Sequence, residues 1–484
     1  MNTQLPDGYE ALFTASFGKD ARENYVQCMN LPYVRGLRIN PLRSSEPPLS
    51  FTREIAWNPD SYIIDMHDRI GNDPLHAAGV VYLQEPTAMA PVAALNPLPG
   101  EYVLDLCAAP GGKTTQIGAR MNNDGFLLAN DNNRTRAQAL AQNVERMGLT
   151  HTTVASCAPE KLCQAYRDFF DAILVDAPCS GEGMFRREPE AKALWTTDRV
   201  KALAQTQLAI LNSAYSMLSD GGRMVYSTCT FNPVENECVV AAFLAMHPNM
   251  TLEPVSLPMI ERALSAADLT DAARKNNLIM QQLNQLPDDW SSVPTEFCAR
   301  FFPFHSPGEG HFIALMRKNG SANAYARPER RGNSQRLSDK KLVSSFLAFA
   351  KDVLTPAWLK EFQGALVFAS QKNILYAVHP QLPELPAYLR KGVPLLRLMH
   401  TQPAPEHALA MILRPQDVIR HCPLSYGDQR VLDFLAGHPI ACAATDGWCL
   451  VHMDGAPLGW GKVSQGTLKN HYPKGLRRQY EFAR

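Results

Sequence analysis

At 484 residues the chain is too long for one compact core and is divided here into several domains. Its 45% apolar and 19% charged residues are ordinary for a globular protein, and no apolar run approaches the length of a membrane span. The formal net charge of zero hides a split: residues 318–484 carry 22 Lys and Arg against 12 Asp and Glu, so the first 317 are acidic by about as much. A basic carboxyl third is the footprint expected of an appendage for a polyanion. The opening "MNTQLPDGYEALF" lacks the basic-then-apolar pattern of a secretion signal, so a cytoplasmic protein is expected. Eleven cysteines without a CxxC pair point to neither a disulfide framework nor a zinc site, and no metal is expected.

In chain order, residues 1–78 read as a small mixed α+β unit. Residues 79–318 alternate short apolar runs with helical stretches, the pattern of a parallel α/β sheet. "EYVLDLC" is a first strand, followed by a helix over 112–121; "GFLLAND" is a second. The next helix puts Ala137, Leu140, Val144 and Met147 on one face. "TTVASC" and "DAILVDAP" follow as strands, then a helix from about Arg199 to Leu218, a Gly-Gly turn and the strand "RMVYSTCT". In "NPVENE", Asn232 reads as N-cap of a helix running to about His247, and "HFIALMRK" is a late strand. Residues 319–336 are polar and turn-rich, a linker; 337–424 and 425–484 are two further units.

The loop "LDLCAAPGGKTTQ" admits two readings. A phosphate loop needs G-x-x-x-x-G-K-[ST], and Gly112, Lys113 and Thr114 supply its end, but Cys107 stands where its first glycine belongs. The stronger reading is a cofactor loop at the carboxyl end of the first strand of a doubly wound sheet. Asp131 ends the second strand 19 residues beyond Gly112, where an acid binds a ribose, and G-x-G-x-x-G is absent, which favours an adenosyl cofactor over a dinucleotide.

The chemistry would come from the later strand ends. Cys179 in "DAPCSGEG" and Cys229 in "YSTCTFNP" each follow an apolar strand and point to one crevice, with Asp176 beside the first. A thiol near a methyl donor suits one problem: carbon C5 of a pyrimidine is too weak a nucleophile until a thiolate adds at C6. An acid such as Asp176 would hold or protonate N3 of cytosine, and a base must later remove the C5 proton. These residues alone do not say which cysteine attacks.

"DLCAAPGGKT", "DAPCSGEGMFRR", "YSTCTFNPVENE" and "YLQEPTAM" together resemble the RNA 5-methylcytosine methyltransferases of the NOL/NOP/Sun group. The resemblance covers about residues 1–318, and within the group the chain is similar to the RsmF type acting on bacterial 16S ribosomal RNA. It implies a Rossmann-like S-adenosylmethionine-dependent core, a small α+β N-terminal unit, and a carboxyl part comprising an α/β unit and a PUA-like β-barrel, the last on "PLGWGKVSQGTLKNHYPKGLRR". It further implies that Cys107, Ala108, Ala109, Pro110, Gly111, Gly112 and Lys113 form the S-adenosyl-L-methionine loop, with Asp131 on the ribose and Asp176 beside both cofactor and cytosine. By the same resemblance Cys229 is the nucleophile and Cys179 resolves the adduct, whereas in DNA cytosine methyltransferases the Pro-Cys cysteine attacks. Family members commonly carry an acid facing adenine where this chain has Ala158.

RNA contacts are expected at Arg38 and Asn40 in "RGLRIN", at Arg186 and Arg187, and in the tail at Lys462, Lys469, Lys474, Arg477 and Arg478, interleaved with Trp460, His471 and Tyr472. Tyr82, Gln84 and Glu85 lead into the catalytic sheet, as RNA-side residues or as a structural join. The expected partner is 16S rRNA near the decoding centre, in the small subunit or its precursor, met by a monomer. The rivals are a tRNA cytosine-C5 enzyme, a P-loop nucleotidase and a non-catalytic RNA-binding protein.

Overall fold

The computed structural model describes residues 5–43, 49, 51, 53–65, 67–320, 339–385, 387–399 and 402–483. The linker expected at 319–336 lies, from 321 onward, outside the described residues.

A long helix, Tyr9–Met29, bent at Gly18, opens the chain. It lays Tyr9, Phe13 and Tyr25 against Phe185, Trp195 and Phe231, and the Tyr25 hydroxyl donates to the Glu182 carbonyl at 2.9 Å. Strands β1 (Arg35–Ile39), β2 (Ser61–Ile64) and β3 (Val81–Gln84) then form an antiparallel sheet with β1 in the centre.

The large sheet contains β4 (Tyr102–Asp105), β5 (Phe126–Asn130), β6 (Thr152–Ala155), β7 (Phe170–Asp176) and β8 (Leu218–Thr228), all parallel in the order β8-β7-β4-β5-β6. Such strands are covered on both faces, which is why they read as unbroken apolar runs. The order turns back between β4 and β7, and ligands of such sheets lie at that point, beyond the carboxyl ends. Strands β9 (Met250–Glu253), β10 (Glu261–Arg262), β11 (Ala299–Phe301) and β12 (His311–Lys318) extend the sheet beyond β8 with antiparallel pairing.

Two local expectations change. The Gly221-Gly222 turn is part of β8, which runs through both glycines with an irregular register opposite Phe170 and Ala172. Asn232 does not cap a helix that starts beside it: the helix is Glu237–Met246, and Asn232 is buried in a side-chain network described below. The helix after β4 is Gly112–Arg120, and the one expected from Arg199 spans Thr197–Met217.

In the carboxyl part, helices Lys340–Val353 and Pro356–Ala365 precede β13 (Val367–Gln371), β14 (Ile374–Val378), β15 (Tyr388–Arg390), β16 (Val393–Met399) and β17 (Gln402–Pro405). Four of these make their own sheet, but β15 leaves it and pairs with β6 on the edge of the large sheet. The terminal unit holds β18 (His421–Leu424), β19 (Ile440–Ala441), β20 (Gly447–Met453), β21 (Ala456–Ser464) and β22 (Thr467–Asn470). Its strand order is β18-β20-β21-β22-β19. One apolar core joins this unit to the N-terminal sheet, packing Leu37, Ile39, Val80 and Val81 with Val431, Phe434, Val451 and Leu468.

Candidate functional site

At the turning point of the large sheet lies a cleft of about 860 Å³. One wall comes from the ends of β4 and β5: Cys107, Ala109, Asn130, Asp131, Asn132 and Asn133. Ala158 and Pro159 follow β6, and Asp176 to Gly181 and Cys229 follow β7 and β8.

The loop after β4 is locked from several sides. Gly111 has φ +112°, a conformation side chains rarely adopt, and a Cβ there would come within 3.0 Å of Leu140. Arg136 donates to the Ala109 carbonyl at 2.7 Å and Asn143 to that of Pro110 at 2.8 Å. The Asp131 carboxylate accepts from the backbone N–H of Ala109 at 3.2 Å and of Asn133 at 2.9 Å, which fixes this acid at the cleft wall. Below the loop, burial pushes the Asp105 carboxyl up to about 7; one oxygen accepts from Thr114 at 2.6 Å and the other has no partner among the described residues. Burial likewise raises the Cys107 thiol, so that sulfur stays protonated.

Asp176 collects the polar partners of the site. Its carboxylate meets Lys113 Nζ at 2.7 Å, Ser227 Oγ at 2.9 Å and His311 Nε2 at 3.3 Å. Burial alone would raise this carboxyl, but the Lys113 ammonium and His311 hold it well below the usual range, so it is ionised. Lys113 is half-buried beside it; desolvation disfavours its charge, and Asp176 restores it. With its ammonium committed to Asp176, Lys113 is not free to reach a phosphate as a P-loop lysine does.

The two cysteines meet: Cys179 Sγ lies 3.3 Å from Cys229 Sγ. That contact and then burial push the Cys179 thiol well up, which keeps a proton on the Cys179 sulfur. The cleft thus joins a locked glycine loop, a ribose-competent acid, an ionised carboxylate and a thiol pair. Among the described residues no group of His, Cys, Asp and Glu is arranged to hold a metal ion.

The expected RNA contacts divide. Arg38 is buried, donating to Gln84 Oε1 at 2.7 Å and to Gly112 O and Thr115 Oγ1, both at 2.9 Å; it joins β1 to the cofactor loop and faces no solvent. Asn40 is also buried, donating to Gly79 O and Met147 O. Arg186 is spent on Glu309 in a closed ion pair at 2.6 Å. Trp460 and Tyr472 are core residues, and Arg477 donates to the Tyr472 carbonyl. Tyr82 is buried between Arg38 and Arg146, and Glu85 accepts from Thr87, Ala88 and Glu309, so this stretch is a structural join. Arg187, Lys462, Lys469, His471, Lys474 and Arg478 are exposed. Sequence reading missed His311 and Ser227. Ser227 was accessible to it, two residues before Cys229 at the end of the same strand, whereas His311 starts a strand 135 residues from Asp176.

Three family models match the chain: one described as 16S rRNA methyltransferase RsmB/F over residues 92–317, the N-terminal domain of 16S rRNA methyltransferase RsmF over 5–86, and a methyltransferase RsmF PUA domain over 424–478. Ribosomal RNA small subunit methyltransferase F of Serratia proteamaculans is 33% identical over 320 residues, 63% of this chain and 61% of that protein. The match thus spans under two thirds of that relative's length, but the protein of the same description from Escherichia fergusonii is 29% identical over 94% of this chain and 93% of its own. A methyltransferase homolog from Pyrococcus horikoshii shares the structure with a TM-score of 0.54 and 27% identity, over 65% of this chain and 96% of that one. The structure of NSun6 from Pyrococcus horikoshii with SFG shares the fold, with a TM-score of 0.50 at 20% identity, over 65% of this chain and 99% of its own.

Proposed function

The chain belongs to the RsmB/F family of 16S rRNA methyltransferases, with the N-terminal and PUA units of the RsmF type, and on that basis we propose that it methylates C5 of cytosine in 16S rRNA near the decoding centre. The observation that carries the chemistry is the pair of sulfurs 3.3 Å apart, beside Asp176 and across the cleft from Asp131.

The cleft fits S-adenosyl-L-methionine. Asp131 is held at the wall by two backbone N–H groups, as a ribose-binding acid requires, and about 860 Å³ leaves room for a base next to the cofactor. Residues 107–113, Asp131, Pro159 and Asp176 would hold it, with Ala158 offering backbone alone toward the adenine. Bound there, it supplies an electrophilic methyl group.

The remaining work belongs to the side chains. Cys229, once its proton has passed to solvent, adds through its sulfur to C6 of the cytosine and makes C5 nucleophilic; after C5 takes the methyl group, loss of the C5 proton to a base re-forms the C5–C6 double bond and expels the sulfur. Cys179, whose own proton is tightly held, sits where it can exchange a proton during release of the adduct. Asp176 is ionised and therefore accepts from the N4 amino group; in this resting arrangement it has no proton to give to N3. The target base must leave its stack to enter the cleft. We read the exposed Arg187, Lys462, Lys469, Lys474 and Arg478 as phosphate contacts that hold the RNA meanwhile, with the protein acting as a cytoplasmic monomer.

The test is adduct trapping. Cys179→Ala is expected to leave a denaturant-resistant protein–RNA adduct, and adding Cys229→Ala to abolish it; an adduct that survives without Cys229 overturns the assignment. Bisulfite sequencing of ribosomal and transfer RNA from a strain lacking the gene locates the cytosine, and a lost tRNA mark instead of a 16S mark would make this a tRNA enzyme.

A further inference from the structure

Two buried acids beneath the thiol pair have no part in the chemistry above. Glu182 follows Cys179 on the loop after β7, Glu235 follows Cys229 on the loop after β8, and both are fully buried. Each acid is spent on the other loop. Glu182 Oε2 accepts from the backbone N–H of Phe231 at 2.8 Å and of Asn232 at 2.9 Å, just beyond Cys229. Glu235 Oε1 accepts from the backbone N–H of Ser180 at 2.9 Å, the residue after Cys179, and from Gln207 Nε2 at 2.9 Å. Between them the Asn232 amide donates to Glu182 Oε1 at 2.7 Å and Glu235 Oε2 at 2.8 Å. Trp195 Nε1 also donates to Glu182 at 3.0 Å, and the Gly183 N–H to the Cys229 carbonyl at 2.8 Å.

Two carboxylates this deep are a poor source of stability, since apolar residues of like volume would serve at least as well. Burial, and then Glu182, push the Glu235 carboxyl up to about 7, a sign of how unfavourable the pairing is. What the acids do supply is direction: seven donors converge on them, three of them backbone N–H groups within three residues of a cysteine. Strands β7 and β8 alone place the two loops side by side; they do not set the gap between two sulfurs.

We propose that Glu182 and Glu235 are positioning residues for methyl transfer, a reciprocal clamp that sets the spacing of Cys179 and Cys229 and takes no part in binding cofactor or RNA. This rests on the cysteine roles proposed above.

The test uses the full chain with Glu235→Gln and Glu182→Gln. Glutamine in place of Glu235 keeps an acceptor for Ser180 but turns an amide toward that of Asn232. Misplacement of reacting groups by about 1 Å costs roughly 100-fold. Accordingly kcat on a 16S rRNA fragment is expected to fall about 100-fold, while KM for RNA and Kd for S-adenosyl-L-methionine stay within about threefold. A second reading needs no substrate: diamide, by taking two electrons and two protons, closes the Cys179–Cys229 pair as a disulfide, quantified by mass spectrometry of the linked peptides. The clamp predicts slower closure in both variants than in the unaltered protein. If Glu182→Gln fails to fold, Glu235→Gln decides alone. Unchanged kcat and closure rate overturn the proposal, as does a loss of cofactor or RNA affinity matching the loss of kcat. Slower closure in a protein that methylates no cytosine would instead sink the functional reading and leave the clamp standing.

Discussion

Lys113 and Asp176 illustrate how one contact settles two questions. The sequence allowed Lys113 to be a phosphate ligand, and the 2.7 Å ion pair commits it to the acid beside the cysteines. A depressed carboxyl pKa contributes stability that is present above about pH 4 and lost as pH falls through the lower folded value. Lys113→Met leaves that half-buried carboxylate with its main partner gone, which costs on the order of 3 kcal/mol by urea unfolding. It also lets burial raise Asp176, so the acid limb of the kcat–pH profile should move to higher pH. An unmoved acid limb would mean that Asp176 is not the group titrating there.

Among the elements, β1 was read for what it could present and matters for what it joins. Arg38 spans from the N-terminal sheet to the loop after β4, so Arg38→Met is expected to lower stability by about 2–4 kcal/mol, since it removes the buried guanidinium from which Gln84, Gly112 and Thr115 all accept. It should also weaken cofactor binding, yet leave the salt dependence of RNA affinity unchanged, because Arg38 is buried and its guanidinium is held by Gln84, Gly112 and Thr115. A shallower slope of log Kd against log salt would restore Arg38 as an RNA contact. The parallel strands were legible in sequence because burial on both faces leaves unbroken apolar runs, and the cysteines because they close two of those runs. Arg38, Asn40 and Arg186 were misread for a common reason: a polar residue in a chain looks the same whether its partner is water or, as for Arg186, a carboxylate 123 residues away. Trp460 and Tyr472 were misread because aromatic rings among lysines look like a stacking platform, whereas β21 turns Trp460 inward and Tyr472, beyond β22, packs into the core shared with the N-terminal sheet.

Across the molecule the ends interlock. The terminal unit completes the core of the N-terminal sheet, and the Tyr426 hydroxyl and Ala483 N–H both donate to Asp73. A chain ending at residue 423 should therefore expose Leu37, Ile39 and Val81 and lose cooperative unfolding, rather than merely lose RNA affinity; calorimetry distinguishes the two. The unit before it carries a pH dependence, at the helix His407–Ala410. Burial, then Arg43, lowers His407 to about 4, so its contribution is present above about pH 6.5 and lost as pH falls toward 4. From pH 7.5 to 5.0 the protein should lose about 2 kcal/mol on this account, a loss that His407→Gln removes in paired urea titrations.

Strand β15 gives the fold a timetable. Tyr388 and Arg390 pair with Ala155 and Val154, so the edge of the catalytic sheet is closed by chain made long after the rest of that sheet. At ordinary rates of synthesis the gap between residues 155 and 390 lasts roughly 10–50 s. During that interval the nascent chain offers β6 as an open edge, the kind of surface on which strands of other chains pair. The emerging protein is therefore most exposed to aggregation after its thiol pair is made and before its carboxyl third arrives, and that is when a chaperone would find it.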